Sequence, residues 1–124
     1  MKVLLSIKPE FANKIFDGTK RFEFRRIIFK NPNVKKIIVY ASSPVQKVIG
    51  EFEIDEIISQ SPINLWDITK KYSGITEDYF FEYFADKKTG FAIKIKNTRK
   101  YKTPKCIRAD FDAYPPQSFL YVSA

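Results

Sequence analysis

Within the stretch Gly18-Thr19-Lys20-Arg21-Phe22-Glu23-Phe24-Arg25, a lysine, a carboxylate and a guanidinium fall inside six residues. Their spacing sets what they can do. Side chains two apart on a strand share a face, so Glu23 and Arg25 point together while Phe22 and Phe24 anchor the strand from behind. Lys20 stands at the corner before the strand, where its long stem can swing toward the same cavity. Such a trio can bind a polar anionic ligand, or move a proton if burial shifts its pKa values. Three charges of ordinary type can equally form a solvated ion-pair cluster, and on chemistry alone that alternative carries slightly more weight.

The remaining composition narrows the chemistry. With no His and 1 Cys in 124 residues, zinc sites, Ser-His-Asp triads, Cys-His dyads and an intramolecular disulfide are all excluded. Cys106, flanked by Lys105 and Arg108 but lacking a His partner, is expected to be an inert thiol. Glu51, Glu53 and Asp55 alternate along one strand face and are read as a solvated row rather than a cation site. No metal and no cofactor is expected. The N-terminal MKVLLSIKPEF offers only a short apolar run, below what a secretory signal or a spanning helix needs. A cytoplasmic protein with no membrane partner is the expectation.

Charge is unevenly distributed. Lys and Arg number 22 against 14 Asp and Glu, a net +8. Lys87 to Arg108 holds nine basic residues and no acid, and Lys20 to Lys36 holds seven against the lone Glu23. Glu51 to Asp86 is acidic by contrast. Segregation of this kind creates a positive field suited to a polyanion. Arg21 and Arg26 in the first block, and Lys94, Lys96, Arg99, Lys100 and Lys102 in the second, are the candidate nucleic-acid contacts.

The elements that must position these groups are legible from periodicity. Val3 to Lys8 reads as a strand stopped by Pro9, and Pro9 to Asp17 as a helix closed by Gly18. Arg21 to Arg26 alternates as a half-buried strand. Lys36 to Ala41 suits a buried strand, and Lys47 to Ile58 a longer one with Gly50 permitting a bulge. Ile63 to Tyr72 and Thr76 to Ala85 read as helices, the second capped by Thr76. Phe91 to Ile95 and Phe119 to Val122 read as strands, separated by a polar, basic Thr98 to Thr103. The aromatic run Tyr79-Phe80-Phe81-Tyr83-Phe84 is expected to be core more than a base-stacking platform, and Trp66 a core anchor or cleft wall. With 44% hydrophobic and 16% aromatic residues, there is enough apolar material for one α+β domain spanning residues 1–124.

The GxKxxExR pattern after a first strand and helix resembles the signature of the ASCH domain, a family of the PUA-like superfamily. The segments YASSPVQKVIGEFEI and PPQSFLYV resemble small bacterial and phage-type ASCH proteins, which are often labelled predicted transcriptional regulators. This resemblance implies a PUA-like β-barrel of five to six mixed strands with flanking helices, and a cleft between the first helix and the barrel. It implies RNA or a modified nucleoside or nucleotide as partner, with DNA also possible. Lys20, Glu23 and Arg25 fall on the signature positions, and Ser6, Lys8, Ser42 and Ser43 are expected to line the same cleft. The implied function is an RNA- or nucleotide-binding protein, a regulator of RNA metabolism or transcription. The alternative is a hydrolase, a ribonuclease or nucleoside amidohydrolase, with Lys20 and Glu23 as its catalytic pair. Amidohydrolases of this family place a threonine nucleophile where this chain has Glu23, and a carboxylate cannot replace a hydroxyl in that role.

Overall fold

The computed structural model describes residues 1–123. Lys2–Ile7 forms β1, Pro9–Asp17 α1, Phe22–Arg25 β2, Lys36–Ala41 β3 and Lys47–Gln60 β4. Pro62–Thr69 forms α2, Glu77–Tyr83 α3, Gly90–Lys105 β5, Ile107–Phe111 α4 and Leu120–Val122 β6. The six strands make one mixed sheet in the order β2-β5-β4-β3-β1-β6, with β1 and β3 parallel and every other pair antiparallel. No helix among the described residues is long and apolar enough to cross a membrane.

The sheet is open, which corrects the expected β-barrel. Closure would require a backbone ladder between the edge strands β2 and β6, and none forms. Two local causes are visible. β6 has only three residues, and Pro115 and Pro116 just before it have no N–H to extend the edge ladder. Side chains tie the gap instead: the Arg25 guanidinium donates to the Ser118 carbonyl at 2.7 Å and to the Ser6 carbonyl at 3.4 Å. The edges therefore stand apart with a polar seam between them.

Central strands β1 and β3 are apolar on both faces because both faces are covered. On one face Val3, Leu5, Ile7, Ile37, Val39 and Phe52 pack with Ala12 and Ile15 of α1. On the other, Leu4, Ile38, Tyr40 and Val48 pack beneath Ile107 and Ala113. A third cluster joins Phe22 and Phe24 of β2 to Leu65, Phe80 and Phe84 of the α2 and α3 region, and Trp66 stacks there 5.0 Å from Phe80 as a core anchor.

Strand β5 runs to Lys105, so the basic stretch expected between strands is itself strand. Pairing with β4 supplies the ladder that the polar sequence does not advertise, and three register shifts let the two long strands coil. The short α4 carries no periodic signal long enough to read. Thr76 caps α3 as expected, its hydroxyl accepting from the Tyr79 N–H at 3.1 Å.

Candidate functional site

α1 ends at Gly18, whose φ of 86° is the left-handed conformation glycine adopts without a Cβ penalty. That cap turns the chain sharply and delivers Lys20 inward just before β2 begins. Lys20 is only 2% exposed. Its Nζ donates to the Ser73 carbonyl at 2.7 Å and lies 4.7 Å from the Phe24 ring centroid and 5.5 Å from that of Phe11. Burial pushes the ammonium pKa down to about 8, with Lys14 adding to the fall and Glu23 opposing it.

The turn above Lys20 is built around it. Gly74 has a φ of 70°, and a Cβ there would stand 2.5 Å from the Lys20 Cβ and 2.6 Å from its Cγ. Only glycine meets both demands. Ser73 braces the turn through its hydroxyl, which donates to the Ile75 carbonyl at 2.9 Å, and Lys14 Nζ reaches the Gly74 carbonyl at 3.2 Å.

From β2, Glu23 and Arg25 project on the face opposite Phe22 and Phe24, as the alternation requires. Glu23 is 6% exposed, and its Oε2 accepts from Arg25 Nη1 at 3.3 Å. Together with the ends of β1 and α3 these groups surround a cavity of about 220 Å³ lined by Ser6, Ile7, Lys8, Phe11, Lys20, Glu23, Phe24, Arg25, Ile75, Tyr79, Tyr83 and Gln117. The cavity fills the seam left by the open sheet. It combines an aromatic wall with a proton-bearing lysine, a carboxylate and a guanidinium, a set able to hold a planar polar group and exchange a proton with it.

Of the residues singled out from sequence, Ser6, Lys8, Lys20, Glu23 and Arg25 come together on this cavity. Ser42 and Ser43 do not line it: they occupy the turn after β3, where the Ser42 N–H donates to the Ile7 carbonyl. Thr19 also faces away, its hydroxyl donating to Asp17 at 2.7 Å on the exposed surface, so no hydroxyl replaces the missing threonine nucleophile from there.

Sequence reasoning missed Tyr79 and Tyr83. Phe80 and Phe84 are core, as expected for that run, but the two tyrosines face the cavity. Tyr83 donates to the Phe24 carbonyl at 3.2 Å, and burial, aided by Glu23, raises its pKa. A signal was present: tyrosines and phenylalanines segregate onto separate i, i+4 stripes of one helix.

The basic positions of β5 do not gather at the seam. Lys94 pairs with Asp55 at 3.7 Å. Lys96 lines a separate cavity of about 270 Å³ behind Lys20, together with Arg21, Asn97 and Thr98. Arg99 and Lys105 lie over the Tyr101 ring at 5.7 and 4.5 Å, while Lys100 and Lys102 are exposed. Arg26 lies just beyond the end of β2 and is exposed.

The acidic row of β4 divides. Glu51 is buried, not solvated, and accepts from the Tyr101 hydroxyl at 2.9 Å with Lys2 and Lys36 at 3.8 and 3.5 Å. Glu53 is bonded to Asn97 and Asp55 to Lys94. Cys106 is half-buried, and its thiol pKa is lowered by the backbone N–H groups of Ala109 and Arg108.

Residues 1–111 match the model of a family described as Domain of unknown function (DUF365). The chain superposes on the crystal structure of ASCH from Zymomonas mobilis with a TM-score of 0.87 and 29% identity, covering 98% of this chain and 87% of that one. An ASCH domain-containing ribonuclease from Zymomonas mobilis is 29% identical over 98% of this chain and 84% of its own length. ATP synthase subunit alpha of Ureaplasma parvum serovar 3 is 32% identical over 121 residues, 97% of this chain. The chain spans only 15% of that relative, and 39% of the next, a Ureaplasma large ribosomal subunit protein uL22. Structural homology to ASCH domain proteins is thus established across the whole fold.

Proposed function

The chain belongs to the DUF365 family, and from that premise we propose that it is a nucleic-acid-acting enzyme of the ASCH type that cleaves RNA at the seam cavity. The observation that carries this reading is Lys20: an ammonium held almost out of solvent, with a pKa of about 8, on a cavity it shares with a buried carboxylate. Burying a charge is costly, and a group perturbed by burial at the wall of a cavity is a candidate for function. The ribonuclease from Zymomonas mobilis supports the substrate class, and so does the net +8 charge. The wider PUA-like relationship implied by the sequence motif is part of the same proposal, supported by the likeness to the Zymomonas ASCH structure.

The roles follow from the chemistry of the two groups. At neutral pH Lys20 carries its proton and can give it to a leaving oxygen, while the carboxyl group of Glu23, ion-paired to Arg25, is placed to take one. For RNA the balanced step is attack of the 2′-oxygen on phosphorus, with its proton passing to Glu23. The 5′-oxygen then departs with the proton of Lys20, leaving a 2′,3′-cyclic phosphate and a 5′-hydroxyl. Arg25 holds Glu23 in place and adds positive charge where the phosphorane gains negative charge. Tyr79, Tyr83 and Phe11 supply faces on which a base can stack.

The test is cleavage of fluorescently labelled single-stranded RNA by wild type, Glu23→Gln and Lys20→Met, with binding followed by anisotropy. Turnover lost in both variants while affinity stays within a fewfold supports the enzyme. Turnover that survives in both removes these residues from catalysis. RNA bound but never cut by wild type favours the binding-only reading, a regulator of RNA metabolism, to which the positive surface also lends support.

A further inference from the structure

A second groove of about 410 Å³ adjoins the seam cavity, and the two share Arg25, Tyr83 and Gln117 in their lining. Ser118, Ile27, Arg26 and Lys87 complete the lining. The contents of the two compartments differ. The first holds the carboxylate and most of the aromatic surface. The second is lined by three cations and no carboxylate.

Those cations are unequally engaged. The Arg25 guanidinium is committed to Glu23 and to the Ser118 carbonyl. Arg26 and Lys87 make no ion pair among the described residues. They arrive from distant parts of the chain, Arg26 from the end of β2 and Lys87 from the turn after α3. Two unneutralised cations facing one concavity repel each other, and the concave wall concentrates their field. An anion bridging them relieves that repulsion.

We propose that the Arg26–Lys87 groove is a subsite for a neighbouring, non-scissile phosphate, so that a nucleotide presents its base and the scissile bond to the seam cavity and rests the adjoining phosphate outside it. This rests on the reading of the seam cavity as a nucleic-acid site and adds the position of the backbone relative to it. A guanidinium and an ammonium suit the two kinds of phosphate contact, the forked hydrogen-bond pair and the mobile point charge. Arg25 stands at the junction, so a phosphate in the groove lies next to the group that braces Glu23. The groove thereby sets the direction in which a strand crosses the site.

The deciding experiment is calorimetric titration of the four common nucleosides, their 5′- and 3′-monophosphates and inorganic phosphate into wild type and two double variants. One is Arg26→Ala with Lys87→Ala. The other is Lys30→Ala with Lys35→Ala, which removes the same charge from the exposed loop before β3. A third variant, Lys20→Met, reports on the seam cavity, and a thermal melt checks the fold of each.

Wild type is expected to bind a monophosphate about tenfold or more tightly than its nucleoside, as charge-assisted hydrogen bonds provide. The Arg26/Lys87 variant should lose that preference and leave nucleoside affinity within about twofold, while the Lys30/Lys35 variant keeps it. Equal losses in the two double variants would reduce the effect to general charge and overturn the subsite. Nucleosides bound with no gain from phosphate would also overturn it, while sparing the seam cavity. Phosphate and monophosphates bound through Arg26 and Lys87, with no affinity for nucleosides and no effect of Lys20→Met, would keep the subsite and sink the base-holding role of the cavity. Wild type that binds none of these ligands would overturn both.

Discussion

Among the described residues two buried ionic clusters stand out, and they are built on opposite plans. At Glu51 a buried carboxylate on β4 is met by the Tyr101 hydroxyl and two lysines, Lys2 and Lys36. Burial works against its charged form, yet the tyrosine and the two lysines more than compensate and hold its pKa below the ordinary value. It borders none of the three cavities described above. At the seam, by contrast, the most buried charge is a cation whose pKa has fallen because its surroundings do not fully compensate burial. Its neighbours are a carbonyl and two aromatic faces, and it borders open space. A charge fully answered from within holds strands together. A charge left partly unanswered beside a cavity is available to a ligand.

The comparison breaks most readily at the level of turnover. Lys20→Met and Glu23→Gln should each lower RNA cleavage by about 10²–10⁴-fold, whereas Tyr101→Phe should leave it within about twofold. Steady-state cleavage rates at matched RNA concentration check this, and a comparable loss in the Tyr101 variant would erase the distinction. In wild type the rate should also fall as pH rises through about 8, where Lys20 gives up its proton.

Stability against pH separates the clusters next. The unfolded chain holds the Lys20 proton up to about pH 10.5, while the fold releases it near 8. Between those values the unfolded state binds more protons, so stability should rise with pH, by about 3 kcal/mol from this group. Urea melts from pH 7 to 10.5 should show that rise in wild type and its absence in Lys20→Met. At Glu51 the slope has the same sign but falls in the acid range: its contribution is present above the ordinary carboxyl pKa and is lost as acid protonates it. Glu51→Gln should therefore narrow its stability deficit to wild type as pH falls below about 4.

Gly74→Ala tests the turn that holds Lys20. It introduces a Cβ against the lysine stem and strains a φ of 70°, which should cost about 1–3 kcal/mol in denaturant melts. As the lysine is displaced toward solvent, the alkaline limb of the cleavage profile should move up. A stability loss with the limb unmoved would make the turn purely structural. The smallest effect is expected from Tyr101→Phe, about 1 kcal/mol at pH 7, because Glu51 loses one donor but keeps both lysines.

How far the chain could be read in advance varied by element. α1 was legible end to end because Pro9, the apolar spacing of Phe11, Ile15 and Phe16, and Gly18 all act locally. β3 was legible because six consecutive residues agree. β5 was only partly so: Lys96 to Lys105 becomes strand through its pairing with the distant β4, whose Glu53 faces Lys96 and whose Val48 faces Lys105. The open sheet was not legible either. Motif resemblance pointed to a barrel, but closure depends on whether two short edges meet in space, and the three-residue β6 after Pro115 and Pro116 leaves a gap that the Arg25 side chain bridges.

Sequence alone determined that Glu23 and Arg25 share a face, since strand alternation leaves no other arrangement. It determined that Lys20 follows a helix-ending corner, and that histidine chemistry is absent. It could not determine that Lys20 would be buried. That depends on Ser73 and Gly74, more than fifty residues later, folding over its stem. Nor could it turn Tyr79 and Tyr83 toward the seam while Phe80 and Phe84 turned into the core: the two stripes are separate in the sequence, but which of them faces inward is set when the sheet packs against the helix. Solvation decides both cases. Local spacing sets which groups travel together, while the pKa of Lys20 and the wetting of the tyrosines depend on what the rest of the chain places over them.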